Sequence, residues 1–522
     1  MRYLPLALLV VSLGCASVPI KKQDLPALTR ADARVLDGCY DCLLEARGIY
    51  ERVGVGKARP LVIARLFETQ LLIALREKEL ALESAASVAH ARELAKELPP
   101  LAEAARYLAL VELVPSDNVG TPRAETRVFR QAQSASVLKI NDELAWLKTA
   151  TALRESARQY LSLAVDCGYL DRRRTPSPPG AAVDLWAGAS RAREVPADTA
   201  PLVAYRVGIC DLVSSKTLEQ VRSAVPEFVE TSFFLARLEV ANAPNTGGAK
   251  ARPLLAEAYA RFPKSPSVTY LSGNYNQLIG ACRDAVHDYD ETLVLEPVHE
   301  DALLGSTACL TFLSRNDEAI AQATHMIELR TDNWGVAYYW RAWNYHFRRQ
   351  LDQARGDVER AKVLDFNERT FTLAGIIEHD QNDLRVAEPD LIKAKAMTPR
   401  GRNCVAMWYL ALVKLKQEKW IDSGKNFDDA MTCYAANVTD DENGLKAMAA
   451  RADLDPDFRA RQIASFEAQL TEDRSQQYAA AFNAANQYSH GGNADRANVL
   501  IEIAAKDPAL SDKVAQLREI LK

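Results

Sequence analysis

The chain has 522 residues, 48% of them hydrophobic and 25% charged, and its formal net charge is −5. This length predicts more than one globular domain, and the apolar content is sufficient for large cores. The nearly balanced charge predicts no nucleic-acid partner, because such partners require a basic face or stripe. The strongest basic cluster, Arg172–Arg174, lies beside a proline-rich stretch and is interpreted as solvated linker charge.

The amino terminus indicates export from the cytoplasm. A short positive start, Met1-Arg2, precedes a mostly apolar run from Leu4 to Leu13. A helix needs about 20 apolar residues to cross a bilayer, so a run of this length is too short to span one. It is typical of the core of a secretory signal peptide.

A cysteine directly follows the apolar run. The sequence Ser12-Leu13-Gly14-Cys15 resembles the lipobox of bacterial lipoproteins, although Ser12 stands where an aliphatic residue is usual. The resemblance implies cleavage before Cys15 and lipidation of Cys15, and two or three acyl chains anchor a protein durably. Ala16 resembles the outer-membrane sorting preference, so the predicted location is the outer membrane, facing the periplasm. The alternative is an ordinary signal peptide with an incidental cysteine.

The remaining cysteines have two interpretations. Of the nine in the chain, lipidation of Cys15 leaves eight, an even number in a compartment that permits disulfides. Cys282 with Cys309, and Cys404 with Cys433, are each separated by about one helix pair, which makes them the candidate disulfides. The alternative is that they are free, buried and apolar in character. The CxxC sequence at residues 39–42 has neither a βαβ context nor a second CxxC, so its cysteines are interpreted as structural.

A short pattern recurs along the chain from about residue 232. A small residue is followed four positions later by an apolar one, seven positions later by a small or apolar one, and often by proline after twelve. Residues four and seven apart share one face of a helix, and proline stops the helix from continuing. Each period therefore predicts two antiparallel helices. The pattern starts at Ala251, Ala285, Ala319, Ala354, Ala387 and Ser423, at spacings of 34, 34, 35, 33 and 36 residues.

A helix pair that repeats every 34 residues resembles the tetratricopeptide repeat. Tyr338, Ala342, Tyr345, Ala354 and Ala361 occupy the packing positions of that family in one unit. The resemblance covers residues 232–435 most strongly, and it implies an all-α fold, an α-solenoid of antiparallel helix pairs. Individual units depart from the family pattern at Ser423 and Asn276.

The rest of the chain is divided by composition. Residues 31–170 are rich in Ala, Leu, Glu and Arg and predict long helices, with degenerate repeats as a further interpretation. The predicted organisation is a signal peptide over 1–14, a lipid-anchored tether over 15–30, the helical region over 31–170, a proline-rich linker over 171–201, the repeat array over 202–435, an interrupting segment over 436–474 and a carboxy-terminal helix pair over 475–522.

The sequence carries no recognisable catalytic motif. HExxH, GxSxG, P-loop and dinucleotide-binding patterns are absent, and the seven histidines have no metal-ligand spacing. The prediction is a protein without enzymatic activity, cofactor or metal. The alternative is an envelope enzyme or a solute-binding component with its site in the amino-terminal helical region, residues 31–200.

Binding residues follow from the family resemblance. In such repeats the first helix of each pair lines a concave groove, which suits an extended peptide or a partner helix. Trp340 and Trp343 have the alternative of packing between neighbouring helices. Helical register nominates Tyr270, Asn274, Gln277, Leu304, Ala308, Thr311, Tyr339, Trp343, His346, Phe347, Thr372, Ile376, His379, Trp408 and Leu412 as groove residues.

The functional expectation combines these observations. The chain is expected to be a scaffold or assembly factor that is tethered to the bacterial envelope and binds other proteins. The membrane is a partner only through the lipid anchor, and self-association is a third interpretation of the groove.

Overall fold

The computed structural model is helical throughout the part of the chain that it describes. That part comprises residues 20–98, 101–114, 145–147, 149–169, 195–196, 198–211, 215–246, 248, 250–329, 334–399, 402–454 and 456–521, and no strand occurs within it. Two compact units divide these residues. The first contains the described residues up to 238 together with 253–268, and the second contains 239–252 and 269–521.

Among the described residues, eight α-helices lie wholly in the first unit and three more cross its boundaries. Consecutive helices pack against each other from α1 to α5, and α6 and α8 each pack against α7. The helices are α1 (Leu25–Asp37), α2 (Tyr40–Val53), α3 (Arg59–Glu79), α4 (Ala85–Ala95), α5 (Leu101–Leu113), α6 (Glu155–Tyr169), α7 (Pro201–Asp211), α8 (Ser215–Ala224), α9 (Glu230–Thr246) as far as residue 238, and α10 (Ala251–Arg261) from residue 253.

The second unit repeats a pair of helices of similar length. Each helix packs against the next from α12 to α22, so the pairs follow one another in chain order. The helices are α11 (Pro266–Leu278) from residue 269, α12 (Cys282–Leu295), α13 (Glu300–Phe312), α14 (Asn316–Leu329), α15 (Trp334–Phe347), α16 (Leu351–Leu364), α17 (Glu368–Asp380), α18 (Leu384–Met397), α19 (Cys404–Lys416), α20 (Trp420–Ala450), α21 (Pro456–His490), α22 (Ala494–Ala504) and α23 (Ser511–Ile520).

Small residues allow the helices of a pair to approach closely. Ala285, Ala319, Ala354 and Ala387, which start the sequence pattern, are all completely buried. A Cβ atom at Gly273 would lie 2.7 Å from Cδ1 of Tyr289, so only glycine fits against that ring. The predicted fold class, an all-α solenoid of tetratricopeptide type, is confirmed by this arrangement of stacked helix pairs.

The turn between the two helices of a pair has the same backbone conformation in several repeats. Ser314, Arg349, Asn382 and Glu418 follow the first helix of their pairs, and each has a positive φ of 58° to 61°. For residues other than glycine, this left-handed conformation costs about 1–2 kcal/mol. At Gly280, where φ is 78°, glycine avoids that cost.

The structure differs from the predicted segment 436–474, which was expected to interrupt the array. This segment belongs to α20 and α21, which continue beyond the length of the other helices and pack along each other. The acidic residues Asp440–Glu442 do not stop α20, because they lie on a helix surface and none of them is a helix breaker. Pro456 is the first residue of α21, a position where proline is tolerated.

Two other boundaries also differ. Helix α1 begins at Leu25, within the predicted tether, where Pro26 occupies the first turn of the helix. The expected carboxy-terminal pair, 475–522, corresponds to the end of α21 and to α22, and a further helix, α23, follows it. The predicted signal peptide, Cys15 and most of the proline-rich linker lie outside the described residues. None of the described helices combines the length and the apolarity that a membrane crossing requires.

Candidate partner-binding face

The first helices of consecutive pairs lie side by side in the second unit. Asn344 on α15 donates a hydrogen bond of 2.8 Å to Oγ1 of Thr311 on α13. Asn403, at the start of α19, donates one of 2.8 Å to Oγ1 of Thr372 on α17. Because α13, α15, α17 and α19 also contact one another in this order, they present a continuous surface. We call the residues of α11, α13, α15, α17 and α19 on this side the first-helix face.

The predicted groove residues have different degrees of exposure on this face. Ala308, Thr311, Ile376 and His379 are buried, so they pack between the first helices and do not form contact surface. Thr311 meets Asn344 of α15 and His379 meets Tyr409 of α19, so the neighbouring first helix covers part of each of these two residues. Phe347 is exposed. The half-buried residues are Tyr270, Asn274, Gln277, Leu304, Tyr339, Trp343, His346, Thr372, Trp408 and Leu412.

Helix α15 carries a row of aromatic side chains. The ring of Trp343 is stacked on that of Tyr339 at a centroid distance of 6.4 Å and meets Phe347 edge to face at 5.3 Å. Trp343 also packs against the buried cluster that contains Leu373 and Ala374. Trp343 therefore has a packing role on the side that faces this cluster. Phe347, at the end of the row, is 53% exposed.

Two exposed apolar residues were missed by the sequence reasoning. Leu278 ends α11 and Phe312 ends α13, at the position that Phe347 has at the end of α15. Leu278 is 40% exposed and Phe312 is 80% exposed. The repeat spacing could have found them, because stepping back from Phe347 by 35 and then 34 residues reaches both. We call Leu278, Phe312 and Phe347 the apolar row.

The apolar row is replaced by charged residues in the next two repeats. Asp380 ends α17, and its carboxylate lies 2.9 Å from Nε2 of His346 and 3.1 Å from Nδ1 of His379. Burial alone would raise the pKa of Asp380, but hydrogen bonds from both imidazoles hold it below its usual value. Burial disfavours the charged form of His379, and it therefore lowers the pKa of this imidazole. Lys416 ends α19 and donates to the carbonyl oxygen of His379 at 3.0 Å.

Charged residues are distributed unequally between the two helices of each pair. Helix α11 has no Asp, Glu, Lys or Arg, and α13 has only Glu300 and Asp301, both in its first turn. The single charged residue of this type in α15 is Arg341, which makes two hydrogen bonds, of 2.6 and 2.8 Å, to Asp357 of the second helix α16. In contrast, α12, α14 and α16 each carry three or more. The first-helix face is therefore almost uncharged from α11 to α15.

A cluster of three carboxylates lies away from this face. Donor atoms of Glu359, Glu378 and Asp390 lie within 4.8 Å of one another, a spacing that a metal ion could bridge. The ammonium group of Lys362 already lies among them, 2.6 Å from Asp390, 2.8 Å from Glu359 and 3.7 Å from Glu378. Burial, together with the Asp390 carboxylate, raises the pKa of Glu378 to about 8. Lys362 thus supplies the positive charge that a metal ion would bring.

The amino-terminal unit, where the alternative function would have its site, contains a buried ionic network. Arg76 of α3 is completely buried, and it donates a hydrogen bond of 2.6 Å to the carbonyl oxygen of Gly38. Its guanidinium lies 3.9 Å from the ring centroid of Tyr205, and it pairs with Glu79 at 3.2 Å and Glu230 at 3.5 Å. Burial raises the pKa of Glu230 to about 7. These groups are paired with one another inside the unit.

The candidate disulfides are close pairs in the structure. Cys282 of α12 is joined to Cys309 of α13, and Cys404 of α19 is joined to Cys433 of α20. Cys39 is also joined to Cys42, and its sulfur accepts a hydrogen bond of 3.0 Å from the backbone N–H of Cys42 at the start of α2. Both of these cysteines are completely buried, in keeping with a structural role.

Similarity to known proteins is confined to solved structures, and it is low. No protein-family profile and no curated protein matches the chain. Among solved structures, MamA from Desulfovibrio magneticus RS-1 is 20% identical with a TM-score of 0.29, and the match covers 32% of this chain and 94% of MamA. The Cut9–Hcn1 structure is 11% identical with a TM-score of 0.40, covering 96% and 94% of the two chains. YrrB, described as a TPR protein with an unusual peptide-binding site, is 14% identical with a TM-score of 0.24, covering 51% and 97%. These values are too low to transfer a function.

Proposed function

We propose that this chain is a non-enzymatic scaffold that binds partner proteins on its first-helix face. The observation that carries the proposal is the exposed apolar row beside the aromatic side chains of α15. Exposed aromatic residues give large contact area at a low entropy cost, which is why they anchor protein interfaces. Exposed apolar side chains that recur at the same position of successive repeats suit an interaction site.

Cross-linking in cells followed by capture of the full chain tests the proposal. We expect the double substitution Trp343→Ala and Phe347→Ala to reduce partner recovery about tenfold or more, because hot-spot aromatics contribute about 2 kcal/mol or more each. The matched control is Val294→Ser with Val363→Ser, since these valines are 82% and 81% exposed but lie on second helices. Equal recovery with both double variants would contradict binding at this face.

We further propose that the scaffold is tethered to the outer membrane through lipidated Cys15. The apolar run before a lipobox-like sequence supports this proposal. A mass spectrum of the mature amino terminus tests it: a diacylglyceryl-modified Cys15 is expected, and Cys15→Ser is expected to release the protein from the membrane fraction. An unmodified Cys15 in the mature chain would remove the anchor.

A further inference from the structure

The first-helix face is divided into two chemically different parts. The apolar row supplies its rim at α11, α13 and α15, whereas Asp380 and Lys416 supply the rim at α17 and α19. The exposed fractions of 40%, 80% and 53% for Leu278, Phe312 and Phe347 leave their side chains available to another molecule. The two charged residues, in contrast, are bonded to groups of their own chain. We call α11, α13 and α15, with the apolar row, the apolar part of the face. Its exposed side chains can still be buried by another molecule.

The arginines that border the apolar part are already paired within the chain. Arg315 makes two hydrogen bonds to Glu318, one of them 2.7 Å long. Arg348 pairs with Asp317, and Arg349 pairs with Asp380 at 3.3 Å. Among Asp, Glu, Lys and Arg, the helices α11, α13 and α15 carry only Glu300, Asp301 and Arg341, and Arg341 is committed to Asp357, so few charged groups of these helices could pair with a ligand. A charged side chain buried here would lose its hydration without a compensating ion pair.

Polar groups of the apolar part suit the backbone of an uncharged segment. Asn274 on α11 is half-buried, so its side-chain amide is partly open to another molecule. Gln277, one turn further along, accepts a hydrogen bond of 2.6 Å from the hydroxyl of Tyr289, which leaves its NH2 group as a donor. Amide side chains both donate and accept, so they match the N–H and C=O groups of a peptide without requiring charge.

We propose that α11, α13 and α15 bind an uncharged segment of a partner protein that places apolar side chains against Leu278, Phe312 and Phe347. This inference rests on the proposed function and specifies the chemistry of the partner. Burial of apolar side chains would supply the affinity, and the scarcity of charged groups on these three helices would disfavour acidic and basic segments. The binding is therefore expected to tolerate high salt, since screening weakens only charged contacts.

Selection of random dodecamer peptides against the immobilised full-length chain tests the inference. The selected peptides are expected to be enriched in Leu, Ile and Phe and depleted in Asp, Glu, Lys and Arg. A synthetic peptide from the selection should bind the variant Phe312→Ser with Phe347→Ser about 10- to 100-fold more weakly, from the loss of two buried apolar side chains. The Val294→Ser with Val363→Ser variant should bind it with unchanged affinity. Both variants alter exposed residues, and circular dichroism checks that they fold.

The outcomes separate this inference from the proposed function. Selected peptides that are rich in charge, lose affinity in high salt and are sensitive to Arg349→Ser or Lys416→Ser would overturn the apolar partner and leave a partner-binding face in place. Peptides whose affinity is the same for both double variants would overturn the apolar row as the contact. Failure of the cellular cross-linking test together with that result would remove the proposed function as well.

Discussion

Glu378 lies in an environment unlike that of an ordinary surface carboxyl. It is completely buried, and its neighbours in the cluster are one ammonium group and two further carboxylates. With a pKa of about 8 in the folded chain, against 4.5 for the unfolded one, its neutral form is favoured by folding. Its contribution to stability is therefore complete below about pH 4.5 and is lost as the pH rises through about 8.

Substitution of Glu378 by glutamine should reveal this dependence. Glutamine has nearly the same shape and stays neutral, so we expect the melting temperature of Glu378→Gln to exceed that of the parent by an amount that grows from pH 5 to pH 8.5. Thermal unfolding monitored by circular dichroism across this range measures the difference. Glu359→Gln serves as the control: its side chain is 46% exposed, and losing its contact with Lys362 should cost about 0.5 kcal/mol or less. A difference between Glu378→Gln and its parent that does not vary with pH would contradict the expected ionisation.

Helix α3 is an element whose buried position could not be predicted from the sequence. Every residue from Leu66 to Leu80 is buried, including the consecutive charged residues 76–79. A helix that is covered on all sides has no polar stripe, so its sequence lacks the one-sided pattern that indicates which surface faces the core. Its helical character could be predicted from composition, but its central position in the first unit could not.

The guanidinium of Arg76 is expected to be indispensable for that unit. Arg76→Met leaves Glu79 and Glu230 without their common partner, and breaking a buried pair in this way costs about 3–5 kcal/mol. Arg59→Met is the matched control in the same helix, because the partly exposed pair of Arg59 with Glu97 contributes about 1 kcal/mol or less. Urea denaturation of both variants measures the two costs. Similar midpoints for the two variants would show that the network does not stabilise the unit.

The long helices α20 and α21 depend on one glycine. A Cβ atom at Gly444 would lie 2.6 Å from Cε1 of Phe466, so Gly444→Ala forces the ring to move and should destabilise the hairpin by about 1–3 kcal/mol. Gly356→Ala on α16 meets nothing within 4 Å and should stabilise its helix by about 0.5–1 kcal/mol. Hydrogen exchange of the two helix pairs measures these opposite effects. If both alanines stabilised their helices, the close packing of Gly444 on Phe466 would be excluded.

Across the whole chain, the structural features that could be predicted are those whose sequence pattern recurs from repeat to repeat. The buried alanines recur every 33 to 35 residues, so the stacked pairs and the register of the first helices could be inferred from them. Which residues of this register are buried by tertiary packing could not be inferred. His379 and Ile376 have the register of groove residues, but both are buried. Phe312 and Leu278 are the last residues of their helices, where the apolar pattern does not distinguish an exposed side chain from a buried one.

The disulfides of the second unit bear on how the protein responds to mechanical force. Cys282–Cys309 and Cys404–Cys433 close covalent loops with sequence separations of 27 and 29 residues, and these loops do not lengthen when the ends of the chain are pulled. At about 3.4 Å per extended residue, each loop withholds about 9 to 10 nm of contour. A chain stretched by its two ends would therefore yield in shorter steps at these two places than at the other helix pairs, and a reducing environment would restore the full extension.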